Sequence, residues 1–125
     1  MNYLHKNKVV HRDLKPENII FSKPGDMRIK IIDFGCAQKF TPGQFMTQPF
    51  GTLNYMAPEM IRGQYDEKSD IWSIGVLMYV LLTGHSPFQG KTDQALLLEV
   101  ARYEIMNFGQ EELKAKSIGS IDVLR

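Results

Sequence analysis

Four polar side chains stand at spacings that suit the handling of a phosphoryl group. Asp13, Lys15 and Asn18 lie in the run HRDLKPEN, from His11 to Asn18, and Asp33 opens the triplet Asp33, Phe34 and Gly35. Transfer of a phosphoryl group from a nucleotide asks a protein for positioning and charge neutralisation more than for covalent chemistry. Asp13 can orient an acceptor hydroxyl and take its proton, while Lys15 can offset charge on the moving group. Asn18 and Asp33 offer hard oxygens of the kind Mg²⁺ accepts beside phosphate oxygens and water. Gly35 lets the backbone turn sharply after Phe34.

The elements that must hold these groups are short at first and helical later. Met1 to Asn7 reads as the tail of a helix without a cap, and Val9 and Val10 lead into a loop containing Pro16. Ile19, Ile20 and Phe21 form a short strand that stops at the turn Lys23, Pro24, Gly25, Asp26, with Ile29 to Ile32 as its partner. Loop-like sequence runs from Asp33 to about Pro58, a length that in compact domains is usually functional or mobile. Glu59, Met60 and Ile61 begin a short helix. Ser69 is placed to cap a long apolar helix through Leu82 that ends at Thr83 and Gly84. Thr92 and Asp93 offer a cap for a helix over Ala95 to Arg102, with Leu96, Leu97, Val100 and Tyr103 on one face. Beyond Asn107 the pattern weakens, and Arg125 falls in what reads as a further helix.

Composition narrows the class of partner. With 125 residues and 43% hydrophobic content the chain suffices for one domain with a real core. A net charge of +1 and 23% charged residues argue against a general nucleic-acid or membrane-surface binder. The apolar stretch from Ile71 to Leu82 falls short of the ~20 residues needed to cross a bilayer and reads as a buried core helix. The start MNYLHKNK lacks the apolar run of a signal peptide. Cys36 is the single cysteine, so no intrachain disulfide can form, and a reducing, cytoplasmic setting is expected. Cys36 itself is read as a buried, unreactive thiol.

Four motifs in order, HRDLKPEN, DFG at Asp33 to Gly35, APE at Ala57 to Glu59 and DIWSIG at Asp70 to Gly75, resemble the eukaryotic protein kinases over essentially the whole chain. The resemblance implies ATP and Mg²⁺ as cofactors and a protein as substrate. It assigns Asp13 and Lys15 to catalysis, Asn18 and Asp33 to metal and nucleotide, and Ile20 to the apolar seat under the adenine ring. Lys15 in DLKPEN and Thr52 in GTLNYMAPE look like the serine/threonine class, in which Thr52 bonds toward the catalytic Asp and Lys. The stretch from Tyr65 to Asp93 most resembles calcium/calmodulin-dependent and calcium-dependent kinases, whose calcium sensitivity resides outside the catalytic domain. His11 and Phe34 are expected in a stacked apolar spine, with Asp70 anchoring that spine and the catalytic loop, and Trp72 is expected in the core. In the family an Arg at the place of Arg12 often pairs with a phosphate on the activation segment; here Gln48 stands where the family usually has the phosphorylated Thr, which argues against control by phosphorylation and leaves Thr47, then Thr41, as the lesser candidate phosphosites.

The expected fold is mainly α with a short β-hairpin: a partial kinase large lobe lacking the small lobe and the last helices. It divides into a catalytic loop at 11–18, an activation segment at 33–59 and a helical part at 60–125. A glycine-rich loop, a strand lysine and a helix glutamate are absent from this sequence, and Glu59 lacks its Arg partner. Two functions follow. The chain is either the large-lobe part of an active serine/threonine kinase, or a catalytically inactive binding or regulatory piece. The isolated polypeptide is expected to be inactive and, with Ile20 and the underside of the long helix uncovered, prone to aggregation.

Overall fold

The computed structural model describes residues 1–102. In chain order these form helix α1 (Asn2–Lys6), strand β1 (Val9–Val10), a 3₁₀ turn at Pro16–Asn18, β2 (Ile19–Phe21), β3 (Ile29–Ile31) and β4 (Gln38–Lys39). A second 3₁₀ turn at Leu53–Tyr55, then α2 (Pro58–Ile61), α3 (Ser69–Thr83) and α4 (Asp93–Arg102) complete them. The expected place of Tyr103 on the α4 face, and the expected helix toward Arg125, lie outside the described residues.

The strands make two antiparallel ribbons of two strands each. In one, Ile19 pairs with Ile31, Ile20 with Lys30 and Phe21 with Ile29. Its turn is tied by the Asp26 side chain, which accepts the Arg28 amide at 2.9 Å. The other ribbon differs from the sequence reading, which left Val9 and Val10 leading into a loop and 33–58 without strands. Val9 pairs with Lys39 and Val10 with Gln38. Two-residue strands show no alternation to read; Val10 is held there because its side chain is fully buried against Met46, Met56 and Tyr65. A further bridge joins Met46 to Tyr65.

Helix α3 starts in a way the sequence reading did not expect. Ser69 lies inside the helix, and its hydroxyl donates to the Asp66 carbonyl at 3.0 Å. The turn before the helix is instead closed by Asp66, whose carboxylate accepts the Lys68 amide at 2.9 Å. Asp can do this because its short side chain reaches the backbone two residues on. At the other end Gly84, at φ 82°, adopts the left-handed conformation that ends a helix cleanly, with its amide donating to Val80 O. Thr92 does cap α4, its Oγ1 accepting the Ala95 amide at 3.2 Å.

Two apolar clusters share a seam. The first holds Val10, Met46, Met56, Ala57, Met60 and Tyr65; the second holds Val76, Phe88, Leu96 and Val100. Leu53, Ile61 and Trp72 pack against both, with Trp72 stacked on Phe88 at 6.2 Å. Each fully buried side chain of this size contributes ~1.5–3 kcal/mol relative to exposure. Helix α3 buries polar residues as well as apolar ones: the Ser73 hydroxyl donates to Tyr55 O at 2.8 Å and that of Thr83 to Tyr79 O at 2.8 Å. Meanwhile Ile71, Met78, Leu81 and Leu82 of the same helix are exposed, so among the described residues α3 is covered on one side only. This is the uncovered face that the sequence leads one to expect of the long helix. No helix of the described residues is long and apolar enough to cross a membrane.

Candidate active site

Asp70 organises the loop that carries the polar residues. Deep in the structure and fully buried, its carboxylate accepts the backbone amides of His11 and Arg12, each at 2.9 Å, and meets His5 Nε2 of α1 at 2.8 Å. Arg12 has φ 70°, a left-handed conformation costly for a side chain of its size, and these bonds hold it there. His11 Nδ1 faces the Asp13 amide at 3.3 Å, so its Nε2 donates to Ile32 O at 3.2 Å. The His11 ring also meets Phe34 edge-on, with centroids 5.0 Å apart, although Phe34 is 47% exposed.

Asp13, Lys15 and Thr52 close a triangle. The Thr52 hydroxyl donates to Asp13 Oδ1 at 2.8 Å and accepts from Lys15 Nζ at 2.9 Å, while Lys15 Nζ lies 3.0 Å from Asp13 Oδ2. Burial pushes the Asp13 carboxyl up, yet the hydrogen bonds from Lys15 and Thr52 hold it below the usual value. Lys15 moves the other way, raised by its bond to Asp13 against a smaller desolvation effect, with Glu17 and Asp33 adding charge nearby. Asp13 is therefore an ionised carboxylate at neutral pH, able to accept a hydrogen bond from a hydroxyl and then its proton.

Asn18, buried in the turn after Pro16, gives its amide nitrogen to Asp13, at 2.8 Å to the carbonyl and 3.2 Å to Oδ2. With the nitrogen so committed, the amide oxygen is the atom left to face a cation. Asn18 O also accepts the Ile32 amide at 2.9 Å, which sets Asp33 just beyond the β2–β3 ladder. Asp33 is exposed, at φ 58°, and its Oδ1 accepts the Gly35 amide at 3.1 Å. One amide oxygen and one carboxylate fit a Mg²⁺ that takes its remaining oxygens from phosphate and water. No group of three or more His, Cys, Asp or Glu side chains among the described residues can hold a metal without such help. Ile20 is 44% exposed on β2.

Arg12 meets neutral partners within the chain. Its Nε donates to Cys36 O at 2.6 Å and its Nη1 to Gln38 Oε1 at 2.7 Å and Tyr65 Oη at 3.1 Å, and the guanidinium lies 4.5 Å from the Phe50 ring centroid. Cys36 is half-buried, not buried as its sequence context suggested; its carbonyl accepts from Arg12. His5, Gln38 and Tyr65 were not singled out by the sequence. Each stands far along the chain from its partner, and no local spacing marks it.

Beside the triangle, Pro49, Leu53, Ile61 and Leu97 line an apolar pocket of about 470 Å³ that also touches Gly51.

The arrangement has relatives. Residues 1–121 match the protein kinase domain model. The chain is 45% identical over 124 residues to calcium-dependent protein kinase 4 of Plasmodium falciparum (isolate 3D7), covering 94% of this chain and 24% of that one. Over 122 residues it is 43% identical to calcium-dependent protein kinase 21 of Oryza sativa subsp. japonica, covering 97% of this chain and 21% of that one. It thus spans about a quarter or less of the length of these curated relatives. With the family model reaching from Met1 to residue 121, this chain belongs to the protein kinase domain family.

Proposed function

We propose that residues 1–102 are the large-lobe part of a serine/threonine kinase catalytic domain, and that Asp13, Lys15 and Thr52 act on the acceptor hydroxyl. The observation that carries this is the closed triangle: Thr52 Oγ1 at 2.8 Å and Lys15 Nζ at 3.0 Å hold the Asp13 carboxylate ionised and in one orientation. Asp13 would orient a Ser or Thr hydroxyl and take its proton, and Lys15 would meet the charge on the transferring group. Asn18 and Asp33 would hold Mg²⁺, which when bound neutralises and aligns the phosphates of ATP. Ile20 would underlie the adenine. The apolar pocket at Leu53 and Leu97 would accept a side chain of a protein substrate.

The 125-residue chain by itself is proposed to be inactive. Among the residues of the triangle and the proposed metal site, Lys15 is the one cation, and it is already paired with Asp13. A nucleotide triphosphate needs more positive charge than that. The relatives are named calcium-dependent; calcium control of this protein, proposed from those names, would act through sequence other than residues 1–102, where no group of three or more His, Cys, Asp or Glu side chains is placed to hold a metal ion.

The test joins this chain to the small lobe of a calcium-dependent kinase relative and follows phosphate transfer from ATP to a serine peptide. Transfer that falls by a factor of about 10² or more in Asp13→Asn supports the reading. Transfer indifferent to that change, or none, removes it. Transfer by the unjoined 125-residue chain, lost in Asp13→Asn, would overturn the proposed inactivity.

A further inference from the structure

We infer that Tyr65 is a positioning residue: by gripping residues 46–48 and Arg12 together, it fixes the segment that delivers Thr52 to Asp13. The catalytic consequence rests on the kinase reading above; the grip itself does not.

Tyr65 is 1% exposed and sits between α2 and α3. Its main chain exchanges both hydrogen bonds with Met46, at 2.8 and 3.1 Å. Its hydroxyl donates to Gln48 O at 2.5 Å and accepts from Arg12 Nη1 at 3.1 Å. One residue therefore holds alternate positions of an extended segment, Met46 and Gln48, and ties them to the arginine of the catalytic loop.

The segment is pinned to Arg12 a second time. After Gln48 the chain passes Phe50, whose ring lies against the Arg12 guanidinium, and reaches Gly51 at φ 113°. A Cβ on Gly51 would stand 2.3 Å from Arg12 O, so main chain meets main chain there. The next residue is Thr52, with its hydroxyl on Asp13. Between the two attachments few torsions remain free, so a shift at Gln48 is passed to Thr52.

The partners of Arg12 are all uncharged: a carbonyl, an amide oxygen, a phenol and a ring. No carboxylate pairs with it among the described residues. Tyr65 thereby does with neutral bonds what a phosphate on this segment would do with charge.

Tyr65→Phe removes the hydroxyl and keeps the ring in the core. In the 125-residue chain, amide hydrogen exchange over residues 46–52 is expected to quicken about tenfold, with α3 amides unchanged and the Arg12 guanidinium resonances shifted. Gln38→Ala, which spares the Tyr65 contacts, should quicken the same amides less than half as much. In the chimera with a small lobe, Tyr65→Phe should lower kcat about tenfold and leave KM for ATP unchanged. Exchange over 46–52 equal to wild type, a rise that includes α3, or an equal effect of Gln38→Ala would each overturn the inference. If the exchange effect appears while transfer is indifferent to Asp13→Asn, the kinase reading fails and the grip stands. If transfer depends on Asp13 but Tyr65→Phe changes neither exchange nor kcat, the grip fails and the kinase reading stands.

Discussion

Gly51 approaches Arg12 so closely that no side chain fits between them: a Cβ would lie 2.3 Å from the Arg12 carbonyl oxygen. Its φ of 113° is also one that other residues rarely adopt. Gly51→Ala is therefore expected to destabilise the chain by about 2–4 kcal/mol through strain and forced separation. A urea midpoint equal to that of the parent chain would show that the segment yields freely. The Thr52 amide resonance should move in the same variant, since Thr52 is the next residue.

Asp70→Ala should cost more than any surface change. It strands the buried amides of His11 and Arg12, and each orphaned donor costs about 1–3 kcal/mol. Asp70→Asn keeps one acceptor oxygen and should lose roughly half as much. Equilibrium unfolding of the two variants side by side decides this; equal losses would mean that the charge, not the pair of hydrogen bonds, matters.

Acid should loosen the triangle. Burial raises the Asp13 carboxyl, but the hydrogen bonds from Lys15 and Thr52 outweigh it and hold the group below its ordinary 3.8. A carboxyl lowered on folding contributes stability that is full above its unfolded value and is lost as pH falls through its folded value. Lys15→Met should bring Asp13 back up and shrink that acid loss. Carbon-detected titration of Asp13 checks the direction, and an unchanged midpoint in Lys15→Met would contradict it.

Charge added at Thr47 should do little. Arg12 already bonds Cys36 O, Gln38 and Tyr65 and stacks on Phe50, so a carboxylate or phosphate would have to displace bonds of similar worth. Thr47→Glu is expected to leave exchange over residues 46–52 within about twofold of the parent. Marked protection in Thr47→Glu would instead speak for control by phosphorylation.

The residues of the candidate site could be named from sequence because their types and short spacings are themselves chemical statements. Asp13, Lys15 and Asn18 fall within six residues, and the structure brings Thr52 onto two of them. The resemblance also marked Asp70 as the anchor of the loop; the atoms it uses, and the part played by Tyr65, could not be read from the sequence. The bonds from Asp70 to His11 and Arg12 cross 59 and 58 residues, and that from Tyr65 to Arg12 crosses 53. Contacts so remote leave no periodicity. The β1–β4 ribbon escaped for a related reason: strands of two residues have no alternation, and Gln38 and Lys39 carry no β-forming signal of their own. Ser69 misled because Asp66, three residues earlier, had already closed the turn.

The long reach of Asp70 also dictates an order of events during synthesis. A ribosome releases His11 to Asn18 first, and the carboxylate that forces Arg12 into its left-handed turn follows 58 residues later. Until then the two main-chain bonds that hold that backbone conformation are missing, and the nascent loop is less bound to adopt it. Every copy of this site is thus assembled late, and a translation pause placed after residue 18 but before residue 70 would leave the segment soft for as long as the pause lasts.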